Sequence, residues 1–415
     1  MIYREKCRNC NKIFSPENIH EFGLSPHANS LENLKNRFKS KIFPLSLSYC
    51  NYCELVQSSV DFSTLDIFKS DYPYLSSQSE SFLKHWENSL PKIIKDFSLS
   101  ESSKILEIAS NDGYLQDLFL KKKYKVLGVE PSPEPAKIAV AKGHHVYKDF
   151  FSCYLSNKIL KSKGCQDLII ANNVVAHVPL INDFIKGIKN LLCKKGVAIF
   201  EFSYLMDVIK YRLFDTIYHE HVFYHSATSM KNILLNHGLE IFDLENLDLH
   251  GGSLRLYVSF KGQKKINDSV YNILESEKKY HENLNFYLKK IVTKSKDYSQ
   301  NLLKFLQENK LKNKTIFGYG AAAKTTTSLN LAEISNKHLE AVFDSANTKI
   351  GKFIPHVGIP IISLNEAQLK KCDIIIIFAW NYYEEIKKII EHSYKEKNLP
   401  FPYIISSRDK IFLNE

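Results

Sequence analysis

The stretch KILEIASNDGYLQDLFLKKKYKVLGVEPSPEPAKIAVAKG, residues 104–143, constrains the fold more than any other part of the chain. Twice in succession a short, mainly apolar strand pattern, Ile105 to Ile108 and then one ending on Glu130, leads into a helix-periodic segment. A strand joined through a helix to a second short strand lies parallel to it, because the crossover returns the chain to the same end of the sheet. The repeat therefore predicts an α/β fold with a doubly wound sheet, whose ligands bind outside the carboxyl ends of the strands. DLIIANNVVAHVPLINDFI and KKGVAIFEFSY extend it, each with an apolar run closed by polar residues. Asn172, Asn173 and His177 are thus expected on the crevice, with Glu201 or Ser203.

The first turn selects among cofactors. A dinucleotide fold needs G-x-G-x-x-G there, so that backbone can close on a pyrophosphate. Here the turn reads Glu107-Ile-Ala-Ser-Asn111-Asp112-Gly113, without the glycine pair and with an acid at the strand end. That acid repels a diphosphate and suits the cationic methionyl end of S-adenosylmethionine. Glu130, closing the second strand, is placed to accept both ribose hydroxyls of an adenosine. The expected S-adenosylmethionine set is Glu107, Asn111, Asp112, Gly113, Glu130, Asn172 and Asn173.

Near the start, Cys7-Arg-Asn-Cys10 and Cys50-Asn-Tyr-Cys53 form two C-x-x-C knuckles. Four thiolates make a tetrahedral zinc site with no open position, so the expected Zn2+ is structural. The segment between them, with FPLSLSYC, reads as a small β-rich module that cannot fold on its own core. Disulfides are the alternative, disfavoured in a reducing compartment. Cys153, Cys165, Cys193 and Cys372 stand alone and read as small core residues.

TIYHEHVFYHS, residues 216–226, crowds three histidines, two tyrosines and a glutamate together a few residues past the KKGVAIFEFSY strand. Phe at 223 excludes an H-E-x-x-H zinc site, whereas His221 and His225, four residues apart, leave a catalytic metal open. His219 and His225 read as satisfied core groups. Tyr218, Glu220 and His221, with His177, suit general-base chemistry beside a methyl donor: a neutral imidazole takes a proton near pH 7 while a carboxylate orients it. Methylating an alcohol needs modest base assistance. Methylating carbon needs a base on the C–H and donors for the enolate oxygen, which the crowding fits better. O-methylation of a nucleotide-linked or glycan sugar is the alternative.

LHGGSLRLYVSF is expected to end this sheet on the substrate side. From Ile266 to Lys312 the chain is polar, helix-periodic and free of glycine and proline, which predicts one or two long helices. KTIFGYGAAAKTTTSLN then gives a strand, a turn Gly318-Tyr-Gly320-Ala-Ala-Ala323 and a helix, followed by LEAVFDS, closed by Asp344, and CDIIIIFAW. Backbone amides at such a helix start serve any nucleotide diphosphate. A second Rossmann-like domain is expected, and a non-catalytic or NAD-linked binding protein using only this fingerprint is a third reading.

The 415 residues, 44% of them hydrophobic, suffice for two or three domains. The expected division is a zinc-binding module over 1–68, a methyltransferase domain over 69–262, and a helical linker with the second Rossmann-like domain over 263–415. No apolar run reaches the roughly 18 residues of a membrane span, and MIYREKCRNC lacks a signal-peptide core, so a cytoplasmic protein without a membrane partner is expected. The net charge of +11 is spread along the chain with acids between. That argues against nucleic acid and suits an anionic small substrate.

Taken in order, the paired C-x-x-C motifs, DYPYLSSQS, EIASNDGYL, GVEPS, ANNVVAHVP, YHEH, HGGSLR, GYGAAAK and IPHVGIPI are collinear over nearly the whole chain with the sugar C-methyltransferases, which the sequence resembles. Those enzymes act on nucleotide-linked 4-keto-deoxysugars. The resemblance implies an N-terminal zinc module, a central class I S-adenosylmethionine domain and a C-terminal domain that holds the nucleotide diphosphate. It implies proton abstraction from the carbon beside the C4 ketone, with His221 as the base and Tyr218, Glu220, His177 and either Tyr72 or Tyr74 as its polar partners. It places substrate on His250, Gly251, Gly252, Ser253 and Arg255, and on Gly318, Tyr319, Gly320, Ala321, Lys324 and Asp344. A monomer is expected. The family commonly continues GAAAK with Gly-Asn, whereas this chain has Thr325-Thr326, which predicts altered contacts at that helix start.

Overall fold

A computed structural model gives the fold over residues 3–61, 75–249, 251–364 and 372–413, the residues described below. Tyr72, Tyr74 and His250 lie outside them.

Seven strands build the central sheet: β4 (Ile105–Ile108), β5 (Val126–Val129), β6 (His145–Tyr147), β7 (Gln166–Asn172), β8 (Leu192–Ser203), β10 (Leu239–Leu247) and β11 (Ser253–Phe260). Their order is β10-β11-β8-β7-β4-β5-β6, with β4 to β8 parallel and β11 and β10 antiparallel. The winding direction reverses between β4 and β7, so the crevice opens where Glu107 and Asn172 end their strands. Five shorter strands, β12 (Ile316–Tyr319), β13 (Val342–Phe343), β14 (Ile361–Ile362), β15 (Ile374–Ile377) and β16 (Tyr403–Ser406), form a second, wholly parallel sheet in the order β14-β13-β12-β15-β16. Its reversal lies between β12 and β15, beside Gly320 and Trp380.

The polar stretch between the sheets folds as two helices, Asp268–His281 and Leu284–Leu311. The first anchors the element after the histidine cluster. Glu277, fully buried, accepts hydrogen bonds from the amides of Ala227 and Thr228 at 2.8 Å each, at the N-terminus of helix Ala227–Asn236, and from the Tyr204 hydroxyl at 2.8 Å. A carboxylate there satisfies amides that the helix itself leaves open.

The N-terminal strands β1 (Ile19–Ser25), β2 (Phe43–Cys50) and β3 (Leu55–Ser58) form an antiparallel sheet that takes its fourth strand from elsewhere. That strand is β9, Phe223–Tyr224, so the segment carrying the histidines is paired directly to β3. The apolar residues of the module, including Phe14, Leu45, Leu47 and Val56, join one cluster with Val222, Leu234 and Leu288.

Two of the four cysteines expected to stand alone do not. Cys165, just before β7, is disulfide-bonded to Cys193 at the start of β8. The parallel pairing that opposes Gln166 to Leu192 brings them together, a proximity that a separation of 28 residues does not announce. No described helix is long and apolar enough to cross a membrane.

Candidate active site

The cofactor turn is built on unusual backbone. Ala109, Asn111 and Gly113 take φ of 58°, 48° and 80°, the left-handed region where only glycine is free of strain. Glu130 braces the turn: its Oε2 accepts from the Asn111 amide at 2.9 Å and its Oε1 from the Ser132 amide at 2.7 Å. Each carboxylate oxygen retains a second lone pair, so the bracing and a ribose contact are compatible. Asn111 Oδ1 in turn accepts from the Ser76 amide at 2.9 Å.

Glu107 is 1% exposed, and neither of its carboxylate oxygens has a hydrogen-bond partner within the described chain. Burial, assisted by the charges of Asp112 and Glu130, holds its carboxyl well above the ordinary range. Asp112 Oδ1 and Asn172 Oδ1 are also buried without partners. Orphaned buried acceptors are costly unless a ligand meets them, and this set fits the ammonium of a methionyl group. Asn172 Nδ2 donates to the Tyr114 hydroxyl at 3.1 Å, and the Asn173 amide to the Glu201 carbonyl at 2.7 Å.

Glu201 faces inward. Its Oε2 takes Arg255 Nη2 at 2.9 Å and His85 Nε2 at 3.1 Å, and Arg255 stacks 4.8 Å from the Trp86 ring. Arg255, expected on the substrate, is 2% exposed and held by this buried network. Ser253, also expected there, is 2% exposed and gives its hydroxyl to the Leu249 carbonyl at 3.1 Å. Gly251 and Gly252 are close-approach positions: a Cβ on the first would meet Trp380 at 2.4 Å, and on the second Asp207 at 2.2 Å.

In the histidine cluster, exposure divides the roles. His219, Glu220 and His225 are buried, whereas Tyr218, His221 and His177 keep partial access to solvent. His219 Nε2 bonds the Pro44 carbonyl at 3.1 Å and His225 Nε2 the Val175 carbonyl at 3.3 Å, as core groups do. With His225 so engaged, nothing supports a metal between His221 and His225. Among the described residues the group suited to a metal is Cys7, Cys10, Cys50 and Cys53.

His221 Nδ1 lies 2.9 Å from the Thr216 carbonyl, which can only accept, so Nδ1 carries the proton and Nε2 the basic lone pair. Nε2 meets the Tyr218 hydroxyl at 2.9 Å. The His177 ring centre is 4.9 Å from that of His221, and His177 Nδ1 donates to the Glu220 carbonyl at 2.7 Å. Burial first, then the neighbouring His177, keeps the His221 imidazole neutral far below the usual histidine range; burial puts His177 at about 4. The expectation that the Glu220 carboxylate orients the imidazole is corrected here. Its Oε1 accepts from the Asn29 amide at 2.8 Å, pointing into the N-terminal module, and backbone carbonyls orient both rings.

The second sheet reaches the same place. Lys324 Nζ lies 4.1 Å over the Trp380 ring and donates to Asn381 Oδ1 at 3.0 Å; burial pushes its ammonium down to about 8, and its charge is felt at His221. Trp380 Nε1 donates to Asp215 Oδ2 at 2.6 Å, next in sequence to Thr216. Gly318, in β12, is paired to Val342 of β13 and Ile376 of β15, and Tyr319 is buried, while a Cβ on Gly320 would meet Ala379 at 2.6 Å. Asp344 is committed internally, to the amides of Ala321 and Ala346 at 2.8 and 2.9 Å and to Lys349 at 3.3 Å. Thr326, at the departure from the family pattern, gives its hydroxyl to the Ala28 carbonyl at 2.9 Å, so it docks the N-terminal module. Thr216, Asn29, Asp215 and Trp380 were not anticipated. Backbone acceptors and donors leave no residue-type signal, but Trp380, one of two tryptophans and just beyond the carboxyl end of a strand, does.

The four sulfurs lie within 4.8 Å of one another, with Cys7 to Cys53 and Cys10 to Cys50 each at 3.5 Å. Hydrogen bonds from Cys50 and Cys53 hold the Cys7 thiol far below its usual range, and hydrogen bonding to Cys50 and Cys7 pushes Cys53 up. Four unbonded sulfurs so close fit a shared cation.

Comparison with known proteins bears on this geometry. A family model described as a methyltransferase domain matches residues 82–244, and one described as the C-methyltransferase C-terminal domain matches residues 248–401. The chain is 25% identical to C-methyltransferase NovU of Streptomyces niveus over 414 residues, 98% of each protein. Solved structures with similarity include an S-adenosylmethionine-dependent methyltransferase from Clostridium acetobutylicum (14% identity, TM-score 0.35, 43% of this chain and 92% of that one). Magnesium protoporphyrin IX methyltransferase from Synechocystis, with S-adenosylhomocysteine bound, is another (13%, TM-score 0.34, 42% and 81%). With a methyltransferase domain and a C-methyltransferase C-terminal domain matched in succession, and NovU similar from end to end, the chain is an S-adenosylmethionine-dependent methyltransferase that is similar to C-methyltransferases along its length.

Proposed function

We propose that the enzyme methylates C3 of a 4-keto-deoxysugar carried on a nucleotide diphosphate, for surface-polysaccharide or secondary-metabolite synthesis, after removing the proton beside the C4 ketone. The observation that carries this reading is the partly exposed pair of neutral His221 and Tyr218, 2.9 Å apart, with the far side of the imidazole fixed by a carbonyl. A carbon acid beside a ketone needs such a base, together with donors for the oxygen that gains charge. His221 Nε2 accepts the C3 proton, or accepts the Tyr218 proton while the phenol oxygen takes the one from carbon. His177, whose one N–H goes to the Glu220 carbonyl, presents Nε2 as a further acceptor beside the base, and Tyr72 or Tyr74 completes the set. When bound, S-adenosylmethionine supplies an electrophilic methyl group, held by Glu107, Asp112, Glu130 and Asn172. Lys324, with Asn381 and Trp380 beside the second sheet's reversal, offers the cationic wall that a diphosphate needs. Cys7, Cys10, Cys50 and Cys53 hold a structural zinc.

The test follows the proton and the methyl separately. A panel of 4-keto nucleotide sugars in deuterated solvent, with the demethylated cofactor product present, should show C–H exchange for wild type. His221→Ala should lose that exchange and about two to four orders of magnitude in turnover, with both ligands still bound. A mutant that exchanges normally but does not methylate moves the base to Tyr218 or His177. Labelled methyl found on oxygen overturns carbon methylation.

A further inference from the structure

The cysteine cluster and the base segment share one strand. Gln57, on β3 and fully buried, donates its Nε2 to Cys7 Sγ at 3.1 Å and accepts at Oε1 from the Arg8 amide at 3.0 Å and Arg8 Nη1 at 3.3 Å. Its amide orientation is thereby fixed: the end facing two Arg8 donors must be the oxygen, leaving the NH2 for sulfur. On the other side, Gln57 pairs with Phe223 in β9, and the Ser58 amide donates to the Val222 carbonyl at 2.8 Å, one residue from His221. Arg8, inside the first knuckle and 8% exposed, braces the same strand by donating to the Ser58 carbonyl at 2.5 Å and the Val60 carbonyl at 3.0 Å. The Tyr218 amide bonds the Tyr224 hydroxyl at 3.3 Å, closing the base segment against β9.

We propose that Gln57 is a positioning residue for His221: it ties the strand that holds the base segment to the four-sulfur cluster, so the setting of the imidazole depends on those sulfurs being held together. The link runs through side-chain and ladder hydrogen bonds only, with no contact between Gln57 and the reacting groups. An N–H donor to a metal-bound thiolate is charge-assisted and stronger than a neutral one. Removing it frees β3 to slide by a fraction of an ångström, which base catalysis does not tolerate. This rests on His221 being the base and on a metal at the cysteines.

Gln57→Met keeps the volume and removes both ends of the amide. The full-length protein, with its metal, is measured for zinc content, S-adenosylmethionine affinity, the 15N-histidine spectrum and substrate C–H exchange; the His221 signal is the one lost in His221→Gln. Zinc and cofactor affinity should stay at wild-type values while the His221 signal leaves the pure Nδ1–H tautomer and exchange slows by about tenfold to a hundredfold. An unchanged His221 signal with wild-type exchange overturns the proposal, and so does loss of zinc, which would make Gln57 a holder of the ion. Should Gln57→Met fold poorly, Gln57→Glu, which keeps the acceptor for Arg8 and lacks the donor to sulfur, is read by the same criteria. A His221 signal that moves when wild type shows no exchange upholds the link and overturns the base assignment instead.

Discussion

Single side chains in this enzyme are often committed twice. Glu130 braces two backbone amides and is the proposed ribose acceptor. Glu130→Ala should therefore weaken S-adenosylmethionine binding by about 2 to 4 kcal/mol, part of it from relaxation of the turn, as calorimetry would report. An unchanged affinity removes Glu130 from the cofactor site. Arg255 is committed inward, to a carboxylate with no exposure. Arg255→Met strands Glu201 and should cost about 3 to 5 kcal/mol in urea unfolding, with Glu201→Leu recovering much of it in the double mutant. If Arg255→Met instead leaves stability intact and raises KM for substrate, the arginine belongs to the binding site after all.

At the level of elements, the two strand–turn–helix repeats were legible because apolar runs of strand length and helix periodicity survive in any context. So was the cysteine pairing, whose spacing carries its own chemistry. A two-residue strand was not. Phe223–Tyr224 is too short to show alternation, and its partner lies some 165 residues earlier, at Val56 and Gln57. Because β9 was invisible, Glu220 read as a partner of the imidazole beside it, when it faces Asn29 of the module that β9 brings close. The same pairing makes a prediction about the cysteine module. With the proposed zinc at the four cysteines, Cys10→Ser should lose it and destabilise the module by several kcal/mol. It should also speed amide exchange over 216–226 while sparing 105–113, as mass spectrometry can resolve. Equal protection of both stretches in the mutant would mean that β3 holds without the cluster.

Across the whole molecule, burial keeps several histidines neutral at once. His177 and His225 are each held to about 4, with burial as the leading cause. Their folded affinity for protons is below that of the unfolded chain, near 6.5, so the stability they permit is complete above that pH and is lost as pH falls toward 4. Each should cost about 2 kcal/mol at pH 5, and the melting temperature should drop steeply between pH 6.5 and 5, before ordinary carboxylates titrate. A flat profile over that range would mean that the rings are already protonated when folded. The borrowed strand also sets an order of events during synthesis. Three strands of the N-terminal sheet leave the ribosome by residue 58, and the fourth appears only with residues 223 and 224. At ordinary elongation rates that is a delay of roughly 10 to 30 s, during which β3 presents an unpaired edge and the knuckles wait beside it. If the cysteines hold a metal as proposed, the nascent chain has reason to capture it early, well before the histidines of the base segment have been made.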